Sequence, residues 1–185
     1  MEIATGHRIE TLRAAGRLVE RILPGGQVTE LVEKNRPWID LRGVQKGENT
    51  VDVVASDETP DRYGDVVEAS GWDLEAYRRN PVVLIDHRYA VSEIVGTADR
   101  VEVFDRALVA QIVLDPPEAN PTAGMVRARL EAGSLRTVSV GFLPVSFEPI
   151  VDTESGRVTG YRFLEQELLE ISFVAVPANP NAATV

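Results

Sequence analysis

Over the first 23 residues, Ile9, Leu12, Val19 and Ile22 recur at intervals of three or seven, separated by Arg8, Glu10, Arg13, Arg17 and Glu20. That spacing lays the apolar groups along one face of a helix and the charges along the other. Pro24-Gly25-Gly26 stops the pattern, because proline disfavours helix in the residue before it and glycine releases the backbone. Residues 1–36 are therefore expected to form an amphipathic helix and linker, an appendage to a main domain over 37–185.

From about Trp38 onward the hydrophobic period shortens towards two. Val51–Ala55 reads as a strand and Asp61-Arg62-Tyr63-Gly64-Asp65 as a turn-rich loop. Residues 71–79 read as a short helix with Trp72 or Leu74 and Tyr77 turned inward, ended by Asn80-Pro81. The apolar run Val82–Ile85 predicts a short strand buried on both faces. Ile94–Phe104 and Ala107–Leu114 form a hairpin about Asp105-Arg106, with Leu108, Ala110, Ile112 and Leu114 alternating to one side. Asn120 as N-cap and Pro121 at the first helical position open a helix that carries Met125, Val126 and Leu130 and stops at Gly133. Thr137–Val145, Val158–Leu164 and Leu168–Val176 are further strands, the first two joined through a turn at 152–156. About six or seven strands with an internal helix predict an α+β, β-dominant domain: a closed or nearly closed barrel flanked by helices.

Polar residues inside apolar strands are the anomalies, since burying such a group without a partner costs free energy. Asp86-His87-Arg88 follows directly on Val82–Ile85, Ser139 interrupts Val138 and Val140, and Glu170 interrupts Leu169 and Ile171. Alternation puts Val138, Val140 and Phe142 on one face and Ser139 on the other with Thr137 and Gly141. It likewise groups Leu169, Ile171, Phe173 and Ala175, leaving Glu170 opposite with Ser172 and Val174. If the three polar groups converge, a serine hydroxyl, an imidazole to take its proton and a carboxylate to orient the imidazole are in one place. His87 is the natural base, being the one histidine of the β-rich region. Each residue alone has a plainer reading: a histidine or serine as structural hydrogen bonder, Glu170 as an edge charge or salt-bridge partner.

Composition narrows the alternatives. Nineteen Lys and Arg against 29 Asp and Glu give a net charge of −10 over 185 residues, and Arg127, Arg129 and Arg136 are interrupted by apolar residues. No cationic cluster is present to release counterions, so neither nucleic acid nor an anionic membrane surface is an expected partner. The cysteine count is zero, which removes disulfides, thiolate nucleophiles and Cys-ligated zinc. The two histidines, His7 and His87, lack metal-site spacing, so no metal or cofactor is expected. No apolar run approaches the roughly 18 residues of a membrane span, and the first residues lack a signal-peptide core.

Four ordered segments resemble the caudoviral prohead proteases, the procapsid-maturation serine proteases of tailed phages. They are Asp61-Arg62-Tyr63-Gly64-Asp65-Val66-Val67, Asn80-Pro81-Val82-Val83-Leu84-Ile85-Asp86-His87, Gly133-Ser134-Leu135-Arg136-Thr137-Val138-Ser139-Val140-Gly141-Phe142, and Leu168-Leu169-Glu170-Ile171-Ser172-Phe173-Val174-Ala175-Val176-Pro177-Ala178-Asn179-Pro180. The resemblance runs from about Val51 to Ala182 and implies a fold like that of the herpesvirus maturation proteases, a β-barrel surrounded by helices. It implies His87 as general base, Ser139 as nucleophile and Glu170 as the acidic orienter, with Glu167 a nearby competitor. Ser70-Gly71-Trp72 departs from the Gly-Ala-Phe-like segment more usual in the family. The implied substrates are the scaffolding segment of a major capsid protein and the protease's own chain, with self-association possible, in the host cytoplasm inside an assembling procapsid. Arg136 is a candidate to steady the oxyanion region, or else a surface cation. Gly141 reads as room for a substrate backbone, or else as a bulge. An inactive, protease-derived scaffold or interaction module is the competing reading.

Overall fold

The computed structural model of the chain describes residues 49–185. The helix expected over 1–23, its linker and the boundary at 36/37 lie outside the described residues. Nine strands form one mixed sheet: β1 (Thr50–Asp57), β2 (Val66–Val67), β3 (Trp72–Asp73), β4 (Val82–Ile85), β5 (Ile94–Phe104), β6 (Ala107–Leu114), β7 (Val138–Val151), β8 (Val158–Phe173) and β9 (Ala183–Thr184). Two α-helices interrupt them, α1 (Glu75–Arg79) and α2 (Pro121–Glu131). The strand order is β2-β8-β4-β5-β6-β1-β9, with β3 and β7 also paired to β8.

The sheet does not close into a barrel. Between β9 and the start of β7 there is a single bridge, Thr137 to Ala183, in place of a ladder. Beyond it β7 carries Pro144 and Pro149, which cannot donate to a neighbour and so suit a strand with one unpaired side.

The long strand β8 organises the molecule. Antiparallel β7 runs beside it from Val138–Phe173 to Val151–Val158, while β2, β3 and β4 pair with it in parallel, in that order. Sequence pattern predicts two strands here, broken at Glu165-Gln166-Glu167. The structure has one, because β7 supplies partners throughout and Gln166, fully buried, donates its amide to the Glu68 carbonyl at 2.8 Å. Bulges absorb the mismatch in length. One places Leu169 between residues paired to Gly141 and Phe142, so Leu169 is exposed while Leu168 packs in the core. Leu169 thus does not share the face of Ile171 and Phe173 that strict alternation predicts, since one extra residue reverses parity.

The helix expected over 71–79 is shorter than its pattern. Trp72 and Asp73 pair with Gln166 and Glu167 of β8, and only Glu75–Arg79 is α-helical, with Leu74 and Tyr77 buried. In β4 only Val83 and Leu84 are fully buried. Leu108, Ala110, Ile112 and Leu114 of β6 join Val53, Val95, Val138, Leu168, Ile171 and Phe173 in the core. The β5–β6 hairpin turns through Asp105 and Arg106, both with positive φ (45° and 61°), which fits the twist of a two-residue turn.

Helix α2 starts as its capping chemistry predicts. The Asn120 Oδ1 accepts the Thr122 and Ala123 N–H groups, its Nδ2 donates to Ile94 O and Asp115 Oδ2 at 2.8 Å each, and Gly133 (φ +70°) follows the helix end. Asn120→Ala removes all of these, and is expected to lower the unfolding free energy by about 2 kcal/mol, read as a lower urea midpoint at unchanged slope.

Candidate active site

The chain leaves β4 through a tight turn in which the Arg88 N–H donates to Ile85 O at 3.1 Å. Both central residues, Asp86 (φ 50°) and His87 (φ 54°), are left-handed, a conformation that Asp and His tolerate better than most side chains. The Asp86 N–H donates to Phe173 O at the end of β8, so the turn is fastened to the strand that carries Glu170. Because β4 and β8 are adjacent and parallel, with Leu84 across from Ser172, the residue just past β4 meets β8 side chains.

The imidazole of His87 lies against Glu170, with Nδ1 and Oε1 2.6 Å apart. An ionised carboxylate only accepts, so Nδ1 carries the proton and Nε2 keeps its lone pair. The second carboxylate oxygen, Oε2, accepts the Ser172 hydroxyl at 2.5 Å, and the Ser172 Oγ in turn accepts the backbone N–H of His87 at 3.1 Å. Glu170 and Ser172 are fully buried, and His87 nearly so. Its Nε2 is buried without a hydrogen-bond partner among the described residues. An unpaired lone pair on a buried ring costs free energy, which asks for a chemical reason.

Ser139 sits on β7 directly across from Ser172, and Gly141 across from Glu170. These four share the face turned away from Val138, Ile171 and Phe173. Ser139 is 5 % exposed, and its hydroxyl makes no hydrogen bond among the described residues. A small depression opens beside it, lined by Ser56, Asp57, Asp61, Asp65 and Asn179. The structure therefore brings His87 and Glu170 into contact and sets Ser139 one strand away, opposite the serine that binds both. Glu167 stands apart on β8, paired with Asp73 of β3 and Leu143 of β7. Arg136 is exposed, with its guanidinium over Gly133.

Three participants in this geometry have contacts that pattern alone does not give. Ser172 is visible only as a residue on the Glu170 face. Gly141 borders the Leu169 bulge, and it also has no room for a side chain: a Cβ there sits well inside contact distance of Glu170 Oε1 and 2.8 Å from the Tyr89 hydroxyl. Tyr89 is more than half exposed, yet burial of its hydroxyl end and then the Glu170 charge push its phenol up to about 12. The same two causes raise the Tyr77 phenol, which donates to Val82 O at 3.1 Å. Both remain neutral hydroxyls beside the carboxylate at physiological pH.

The loop 61–65 braces this end of the sheet. Asp61 Oδ1 accepts the Tyr63 and Asp65 N–H groups, Asp65 Oδ1 accepts the Tyr161 N–H at 2.7 Å, and Arg62 donates to the Pro177 carbonyl.

Among known proteins, the family model of the caudovirus prohead serine proteases matches residues 55–185, a span that includes all of this site. The chain is also 27 % identical over 161 residues to a capsid polyprotein of Pseudomonas phage PAJU2, covering 82 % of this chain. It spans 22 % of that polyprotein's length. No solved structure matches the chain significantly. With the match extending over well more than half of its residues, the chain belongs to the caudovirus prohead serine protease family.

Proposed function

We propose that the chain is a serine endopeptidase of procapsid maturation, in which Ser139 is the nucleophile, His87 the general base and Glu170 the residue that orients the base. One observation carries this reading: the buried imidazole has Nδ1 held on a carboxylate and Nε2 left unpartnered among the described residues, one strand away from Ser139, a buried residue whose hydroxyl makes no hydrogen bond among the described residues. The Ser139 oxygen attacks the peptide carbonyl carbon, and its proton passes to His87 Nε2. Glu170 stabilises the imidazolium, which then protonates the departing amine. Water, activated by the same nitrogen, hydrolyses the acyl-enzyme and restores the serine.

The family and the capsid polyprotein relative support a capsid precursor as substrate. The substrates that fit are the scaffolding segment of a major capsid protein and the protease's own chain, cleaved within the assembling procapsid in the host cytoplasm. Confinement in a shell gives enzyme and substrate an effective concentration in the millimolar range, on the order of that for tethered partners, so a slow intrinsic rate suffices.

Single-turnover cleavage of a co-expressed capsid precursor tests the assignment. Ser139→Ala and His87→Ala are each expected to lose at least roughly a thousand-fold in rate while remaining folded. A serine-directed phosphonate is expected to label wild type at Ser139. Near-wild-type cleavage by either variant overturns the assignment, and a folded protein that neither labels nor cleaves is a binding module instead.

A further inference from the structure

We infer that Ser172 is a positioning residue of the site, one that couples the carboxylate, the histidine backbone and the nucleophile strand. The inference rests on the reading of His87, Ser139 and Glu170 given above. Ser172 is fully buried, so it is shielded from substrate, and its hydroxyl proton is committed to Glu170 Oε2 at 2.5 Å. Its lone pair takes the His87 N–H at 3.1 Å. The one hydroxyl therefore satisfies two groups at once: the carboxylate oxygen that His87 does not use, and the amide of a residue held at φ 54°.

Each bond restrains a different degree of freedom. The carboxylate rotates about its last side-chain bond unless both oxygens are held, and rotation carries Oε1 away from Nδ1. The histidine backbone is left-handed without glycine's freedom, so it needs an acceptor that keeps its N–H in place. Because Ser139 is the register partner of Ser172 across β7–β8, the anchoring side chain is also fixed relative to the nucleophile. An ångström of drift in a reacting group costs on the order of a hundred-fold in rate, which makes such a link consequential. A hydroxyl is also the smallest group that donates and accepts at once, and at Gly141 Glu170 and the Tyr89 hydroxyl already fill the space a side chain would take.

Ser172→Ala deletes both bonds without adding volume. The expected result is a folded enzyme whose kcat falls by roughly ten- to a hundred-fold with KM unchanged. In one-dimensional proton NMR, the downfield signal of the His87 Nδ1 proton is expected to move from its wild-type position, whereas in Ser139→Ala it stays in place. Wild-type kcat, a loss confined to KM, or a lowered kcat with the Nδ1 signal unmoved would each overturn the inference, the last by reducing Ser172 to packing. The underlying reading fails separately: if Ser139→Ala cleaves normally, the nucleophile is wrong whatever Ser172 does. If Ser139→Ala is inactive and Ser172→Ala is indistinguishable from wild type, only the coupling by Ser172 falls.

Discussion

Glu170→Gln is expected to lower the cleavage rate by roughly a thousand- to ten-thousand-fold while leaving the fold intact. The amide matches the carboxylate in shape, so packing against Gly141 is preserved, but its two ends differ. If its oxygen accepts the Ser172 hydroxyl, its NH2 faces His87 Nδ1. The ring must then accept there and carry its proton on Nε2, which disables it as a base for Ser139. If the amide is reversed, Nδ1 keeps its proton, but Ser172 receives hydrogens from both the new amide and the His87 N–H and has nowhere to place its own. In either arrangement the negative charge that would stabilise an imidazolium is gone, in a site where full burial makes that charge count most. Single-turnover rates with thermal melts of both proteins check this. A folded variant within ten-fold of wild type would remove Glu170 from the mechanism.

The same residues show how far the sequence alone reaches. Period-two alternation counted back from Phe173 and Ile171 already turns Glu170 and Ser172 away from the core, and counted from Val138 it turns Ser139 the same way. The β5–β6 hairpin and the α2 cap are legible because turn and cap chemistry are local. Alternation fails at Leu169, where a bulge adds a residue, because the cause of the bulge lies in the partner strand. The two-residue strands β2, β3 and β9 are too short to have a period at all. The break expected at Glu165–Glu167 vanishes because register with β7, β2 and β3 holds the polar run in a strand. The meeting of His87 with Glu170 depends on β4 lying beside β8, a non-local pairing between residues 83 apart that no local pattern contains.

Gly141→Ala carries the other large effect, and it separates space from backbone strain. The φ of Gly141 is not among the positive values of this chain, so alanine meets no conformational barrier there. What it meets is Glu170. The new methyl would overlap Oε1, lie 3.0 Å from Cδ and come within 2.8 Å of the Tyr89 hydroxyl. Tyr89 is largely exposed and can swing outward. Glu170 is fully buried and held on both oxygens, so it can yield only by breaking its bond to His87, its bond to Ser172 or the β7–β8 pairing. Overpacking of this kind costs about 1–3 kcal/mol of stability, and the displaced carboxylate is expected to cost at least roughly a hundred-fold in rate. A urea titration and a single-turnover assay on one preparation measure both. The double variant Gly141→Ala/Tyr89→Phe is expected to recover little, because the phenol oxygen it removes is not the immovable neighbour. Full recovery there would place the constraint in Tyr89 and show that the glycine serves the exposed ring and not the buried carboxylate.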